Sequence, residues 1–179
     1  MKHTNSDQPL RIWHPLIRLI HWWLVAAFTI NYFVVDAGGQ IHQWVGYGAL
    51  AAVLLRIGWG FIDKGYGSFR TMRLSRKALQ QHFTHLKQRA VPKQSGHNPL
   101  GWLMVMAVIV LFVGLGVTGF MMEEIDALFG NSTLETVHAW LSNTLYGFAL
   151  VHVAAVVWVG WRGRIALIRP MITGKRDRD

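Results

Sequence analysis

Four long apolar runs, Leu16–Val35, Ile41–Ile62, Leu100–Met122 and Leu134–Trp161, constrain this chain more than any other feature. About 20 residues rising 1.5 Å each cover a hydrocarbon core of about 30 Å, so each run is long enough to cross a bilayer. The interruptions are Arg18 and Glu135 at the starts of their runs, a few histidines, Arg56 and small polar residues. A backbone in lipid has no water to bond, so these runs are predicted to be helices. Composition agrees: 52% of the 179 residues are hydrophobic and 15% charged, against about a quarter charged in an ordinary globular chain. The fold class that follows is an all-α integral membrane protein, a four-helix transmembrane bundle forming a single membrane domain over 1–179. The first run has some features of a signal peptide, with Lys2 and Arg11 before it, Arg18 in its first turn and Ala37-Gly38-Gly39 after it. Its apolar part exceeds the about 7–15 residues of a signal core, and three further spans would pack poorly without it, so it is read as a span.

The charges define an orientation. Lys2 and Arg11 precede the first span, and Arg18 sits in its first turn. The 63–98 connection carries Lys64, Arg70, Arg73, Arg76, Lys77, Lys87, Arg89 and Lys93, and the tail carries Arg162, Arg164, Arg169, Lys175, Arg176 and Arg178. Seventeen of the eighteen cations therefore lie on one side, while the opposite loops hold Asp36, Glu123, Glu124, Asp126 and Glu135 and no Lys or Arg. By the positive-inside rule both termini of this multi-pass chain are cytoplasmic. Basic loops next to a membrane also attract anionic headgroups, so the net charge of +9 does not imply a nucleic-acid partner.

Seven tryptophans (13, 22, 23, 59, 102, 158 and 161) fall near the cytoplasmic ends of spans, and Trp44 and Trp140 near the other ends, as interfacial anchors would. Within 63–98, Leu74, Ala78, Leu79, Phe83 and Leu86 recur at helical spacing among cations, which predicts an amphipathic helix on the membrane or a docking face for a soluble partner. Asn98-Pro99 is an N-cap followed by a first-turn proline opening the third span.

The chain has no cysteine. That excludes disulfides, Cys-ligated zinc, iron–sulfur clusters and covalent c-type haem, and leaves histidine as the obvious metal ligand. Of nine histidines, His3, His14, His82, His85 and His97 lie outside or at the edge of the spans, where solvation is the default. His21, His42, His138 and His152 lie within the spans or at their mouths, where an ionisable group calls for a functional explanation. His138 and His152 are fourteen residues apart on one helix, roughly 21 Å along the axis and within about 40° of one face. Given the alternating span directions, His42 shares the outer level with His138, and His21 the inner level with His152.

Two imidazoles facing each other across a bundle suit a flat macrocycle with both axial positions of its iron filled, and haem is the usual cofactor held this way. Two haems b, one per level, would make an electron path across the membrane. A packing role is the competing reading for any single histidine. Arg56, fourteen residues after His42, is at the inner haem's level and offers a counter-charge to a propionate; snorkelling is the alternative. Gly46, one turn after His42, would let a porphyrin edge approach the backbone, or would serve helix packing. The glycines of Gly114-Leu-Gly-Val-Thr-Gly119 match a dinucleotide-binding pattern, but that fingerprint needs a preceding strand and a helix N-terminus. Inside an apolar span they read as a surface for close approach of a helix or a haem.

Arg11-Ile-Trp-His-Pro-Leu-Ile-Arg-Leu-Ile-His-Trp22, Ile41-His-Gln-Trp-Val-Gly-Tyr47, Leu55-Arg-Ile-Gly-Trp-Gly60, Gly96-His-Asn-Pro-Leu-Gly101 and Met171-Ile-Thr-Gly-Lys175 resemble the bacterial cytochrome b561 family, close to the b-type cytochrome subunits of nickel–iron hydrogenases. The resemblance implies a four-helix diheme b-type cytochrome of the inner membrane, with His21, His42, His138 and His152 as iron ligands. Position 14 is His where many relatives would have Asp. Family members serve hydrogenases, periplasmic c-type cytochromes, superoxide and quinones.

The sequence is therefore read as a membrane electron carrier, the electron-transfer component of an oxidoreductase system. It would work between a c-type cytochrome or hydrogenase-like partner and the quinone pool, as a subunit or a homodimer, in contact with membrane lipid. A superoxide:quinone oxidoreductase acting alone is the alternative within this class. A histidine-lined transporter or metal carrier is the alternative outside it, although Ala149–Val157 offers little polar path beyond His152.

Overall fold

The computed structural model describes residues 9–94 and 96–177. Lys2, His3 and Arg178 lie outside the described residues, so the charge pattern rests there on sequence alone. Four helices, α1 (Pro15–Phe33), α2 (Gln40–Ile62), α4 (Pro99–Glu124) and α5 (Ser132–Gly163), are long and apolar enough to cross a membrane. The other two helices, α3 (Arg76–Lys87) and α6 (Ile168–Thr173), are short, and a two-residue antiparallel ladder joins β1 (Leu10–Arg11) to β2 (Lys175–Arg176).

Local chemistry explains where the long helices begin. Pro15 is the first residue of α1, and His14 Nδ1 accepts from Leu16 N–H at 3.2 Å. An N-cap side chain does this job by accepting from one of the first free backbone amides, and an Asp at position 14 would serve it equally. The departure at this position therefore leaves the cap intact. Asn98 Oδ1 accepts from Gly101 N–H at 2.7 Å and opens α4 as the sequence suggests, and Asn131 Oδ1 accepts from Thr133 and Leu134 to open α5.

The chain divides into two compact units. One comprises the chain up to Arg18, Gly60–Trp102 and the residues from Val153 on. In it the two ends of the chain are joined. The amides of Ile12 and Trp13 both donate to Gly174 O, at 2.8 and 3.3 Å. Gly174 caps α6 at φ +80°, a left-handed conformation that favours glycine. Buried Arg176 donates to Ala166 O and Lys93 O at 3.0 and 2.7 Å, and Arg18 donates to Ile172 O.

Three expectations change in this unit. Trp13 and Trp102 are not lipid-facing anchors: both are buried, Trp102 to 1% exposure, with Trp13 tilted against the His97 ring at 4.7 Å between centroids and Trp102 edge-on to it at 5.1 Å. His82 is not solvated. It is 5% exposed, and its Nε2 accepts from Asn98 Nδ2 at 3.1 Å. The Asn98 carbonyl is already held by the Gly101 amide, so the NH₂ end is the one presented to the ring. The buried stripe of α3 is consequently His82 and Leu86, one turn apart, whereas Phe83 and the preceding Leu74 are about half exposed.

The second unit is Leu19–Trp59 with Leu103–His152. Tyr32 Oη donates to Asn143 Oδ1 at 2.8 Å and Tyr47 Oη to Glu124 Oε1 at 2.9 Å. Gly114 and Gly116 of α4 lie where side chains of other helices come close. A Cβ at Gly114 would stand 3.1 Å from Leu141, and one at Gly116 2.8 Å from Leu50.

Burial holds His82 below the ordinary imidazole range, and the neighbouring His85 pushes it the same way. A group whose folded pKa is depressed binds its proton more readily when unfolded. Its stabilising contribution is thus complete above the unfolded value of about 6.5 and fades as pH falls toward the folded one. Limited proteolysis of the 63–98 connection should accelerate on acidification below about pH 6.5, and H82Q, uncharged at every pH, should flatten that response. An H82Q profile as steep as the wild type would contradict the assignment.

Candidate functional site

The second unit brings the four span histidines together as two facing pairs. His21 of α1 meets His152 of α5 with ring centroids 6.3 Å apart and planes inclined by 54°. His42 of α2 meets His138 of α5 at 6.1 Å and 56°. All four rings are half-buried. The fourteen-residue spacing on α5 thus supplies one member of each pair, while α1 and α2 each supply one.

The spacing has a chemical meaning. Two imidazoles on opposite sides of one metal, each bond about 2.0–2.1 Å and each ring centre about 1.1 Å behind its nitrogen, stand about 6–6.5 Å apart centre to centre. Both pairs fall in that range without touching. His21 Nδ1 is buried and makes no hydrogen bond, and a buried polar atom left this way calls for an explanation. Among the described residues no group of three or more His, Asp or Glu could hold a bare metal ion. A two-imidazole site instead suits a metal whose other donors come with it in a macrocycle.

Arg56 of α2 is 7% exposed, covered by protein rather than extended into solvent. An arginine buried in an apolar span needs compensating charge or hydrogen bonding. Gly46 stands opposite Asn31, where a Cβ would make only ordinary contact with Asn31 Nδ2 at 3.6 Å, so the protein's own packing does not demand glycine there. Asn31 Nδ2 also donates to His42 O at 3.0 Å and ties α1 to the turn that bears this histidine.

Thr118 of α4 is a neighbour of the histidines that sequence reasoning missed. It is 8% exposed, and its Oγ1 lies 2.8 Å from His138 Nδ1. The next residue, Gly119, would place a Cβ 3.7 Å from His138 Cε1, so the imidazole lies against the α4 backbone. The signal available was a hydroxyl within the glycine-rich stretch of a span; its register against His138 depends on how the helices pack.

These features define a class, a multi-pass helical membrane protein with paired imidazoles inside its spans. The family that matches is prokaryotic cytochrome b561, over residues 12–174. The chain belongs to the prokaryotic cytochrome b561 family. It is accordingly a multi-pass bacterial membrane protein of a family that binds b-type haem and moves electrons across the membrane. Comparison with curated proteins gave no match, and comparison with solved structures gave none.

The glycine contacts separate two substitutions. G116A drives a methyl to 2.8 Å from Leu50, an overpacking that costs about 1–3 kcal/mol against a helix-propensity gain of about 1 kcal/mol. G119A meets His138 at ordinary contact distance and keeps that gain. In thermal unfolding of the detergent-solubilised protein, G119A should match or exceed the wild type and G116A should melt below G119A; the reverse order would contradict the helix contacts described.

Proposed function

We propose that this chain is a diheme b-type cytochrome of the bacterial inner membrane, both termini cytoplasmic, conveying electrons between a redox partner and the quinone pool. The observation that carries this reading is the pair of imidazole pairs at bis-axial spacing, 6.3 and 6.1 Å. Family membership supplies the cofactor class, and the absence of cysteine leaves non-covalent attachment through histidine. When bound, each haem supplies one-electron chemistry at its iron.

The chain's own residues do the rest. His21 and His152 hold the inner haem, and His42 and His138 the outer one. Arg56 compensates a propionate at the inner level, and Gly46 leaves the backbone of α2 open to a porphyrin edge. The apolar faces of the four helices keep water from the imidazoles, and α5 fixes the separation of the two sites along one rigid element. The one-sided placement of cations supports the orientation. The partner on this reading is a c-type cytochrome or a hydrogenase-like protein at one face of the membrane, with quinone as the other reactant.

Histidine substitutions test the pairing. The single variants H21A, H152A, H42A and H138A should each retain one haem per chain in reduced-minus-oxidised absorbance. H21A/H152A should also retain one, because both changes fall on one site, whereas H21A/H138A should retain none. A cross-pair double variant that still carries a haem would refute the assignment of ligands.

A further inference from the structure

We infer that Thr118 is a positioning residue for His138: its hydroxyl oxygen accepts the Nδ1–H of that imidazole, fixes the tautomer, and lowers the reduction potential of the haem held there. The inference rests on the proposed role of His138 as an iron ligand. Thr118 Oγ1 stands 2.8 Å from Gly114 O and 3.2 Å from Leu115 O, and 2.8 Å from His138 Nδ1. A carbonyl oxygen can only accept, and the hydroxyl has one hydrogen to give. That hydrogen satisfies the α4 carbonyls, the usual back-bond of a threonine inside a helix. Toward His138 the hydroxyl oxygen is left as an acceptor, so Nδ1 carries the proton and Nε2 keeps the lone pair that a metal needs.

The consequence is electronic as well as geometric. A hydrogen bond accepted from the far N–H of a metal-bound imidazole makes that imidazole a stronger donor and fixes its ring orientation. A stronger donor favours the ferric state over the ferrous, so the one-electron reduction becomes less favourable. The imidazole lies beside α4 here: a Cβ at Gly119 would stand at an ordinary 3.7 Å from its Cε1. His21, of the other pair, has no hydrogen-bond partner at its buried Nδ1, so the Thr118 contact marks the His42–His138 site. It also gives α4, which carries no histidine of the two pairs, a part in the site.

The test compares wild-type chain, T118V and T118S by spectroelectrochemical titration of the purified, haem-loaded protein. An H21A background, which keeps the His42–His138 site alone, assigns the response to that site. T118V preserves shape and removes the acceptor. It should make reduction of that haem roughly fivefold more favourable, a rise of about 40 mV at 59 mV per tenfold for one electron, and leave the other haem unchanged. T118S should restore the wild-type potential. If T118V sheds that haem, retention of it by T118S at the wild-type potential would equally support the hydroxyl's role. Unchanged potentials in a T118V chain carrying both haems would overturn the inference and leave the ligand assignment standing, as would a T118S chain that fails to recover. An H138A chain that keeps both haems would instead overturn the ligand assignment on which it rests.

Discussion

An imidazole inside an apolar span has no water to bond, so whatever satisfies it must be built from neighbouring helices or from a bound group. That constraint accounts for most of the arrangement in the second unit. His21 faces His152 and His42 faces His138, each at a spacing that leaves room for a metal between the rings but too wide for a hydrogen bond between them. Asn31 holds the backbone of His42, and Thr118 meets the ring of His138. Gly114 and Gly116 of α4 leave room for Leu141 and Leu50. Family membership then supplies the cofactor class that this geometry suits.

Much of this was legible in the sequence because a membrane reduces a three-dimensional problem to nearly one dimension. Hydropathy and length determine the spans, charge asymmetry assigns their direction, and direction converts residue number into depth. His42 and His138 could be matched by depth alone. Depth carries no information about rotation of a helix about its axis, which is why Thr118 escaped notice although it lies in a stretch singled out for its glycines. Azimuth is decided by interhelical packing, and a single threonine in an apolar helix looks the same whether it faces lipid or a histidine.

The failures in the other unit have a related cause. Trp13, Trp102 and His82 fall at span ends or in a connecting loop, positions where interfacial or solvated side chains are the default. Long-range contacts override that default. Trp13 and Trp102 are separated in sequence by two whole spans and the 63–98 connection, yet both pack against the His97 ring, and His82 is drawn in by the amide of Asn98. The motifs at the two ends of the chain, around Arg11-Ile-Trp and Thr-Gly-Lys175, are likewise joined through Gly174 and the β1–β2 ladder. These end motifs meet in a physical junction.

The central claim is that one chain holds two haems, each between two histidines. Haem content per chain of the purified wild-type protein, measured as the pyridine haemochrome and combined with electron paramagnetic resonance of the oxidised state, tests it most directly. The account predicts two haems b per chain, both low-spin and six-coordinate. One haem per chain, or a high-spin five-coordinate signal of comparable intensity, would contradict it.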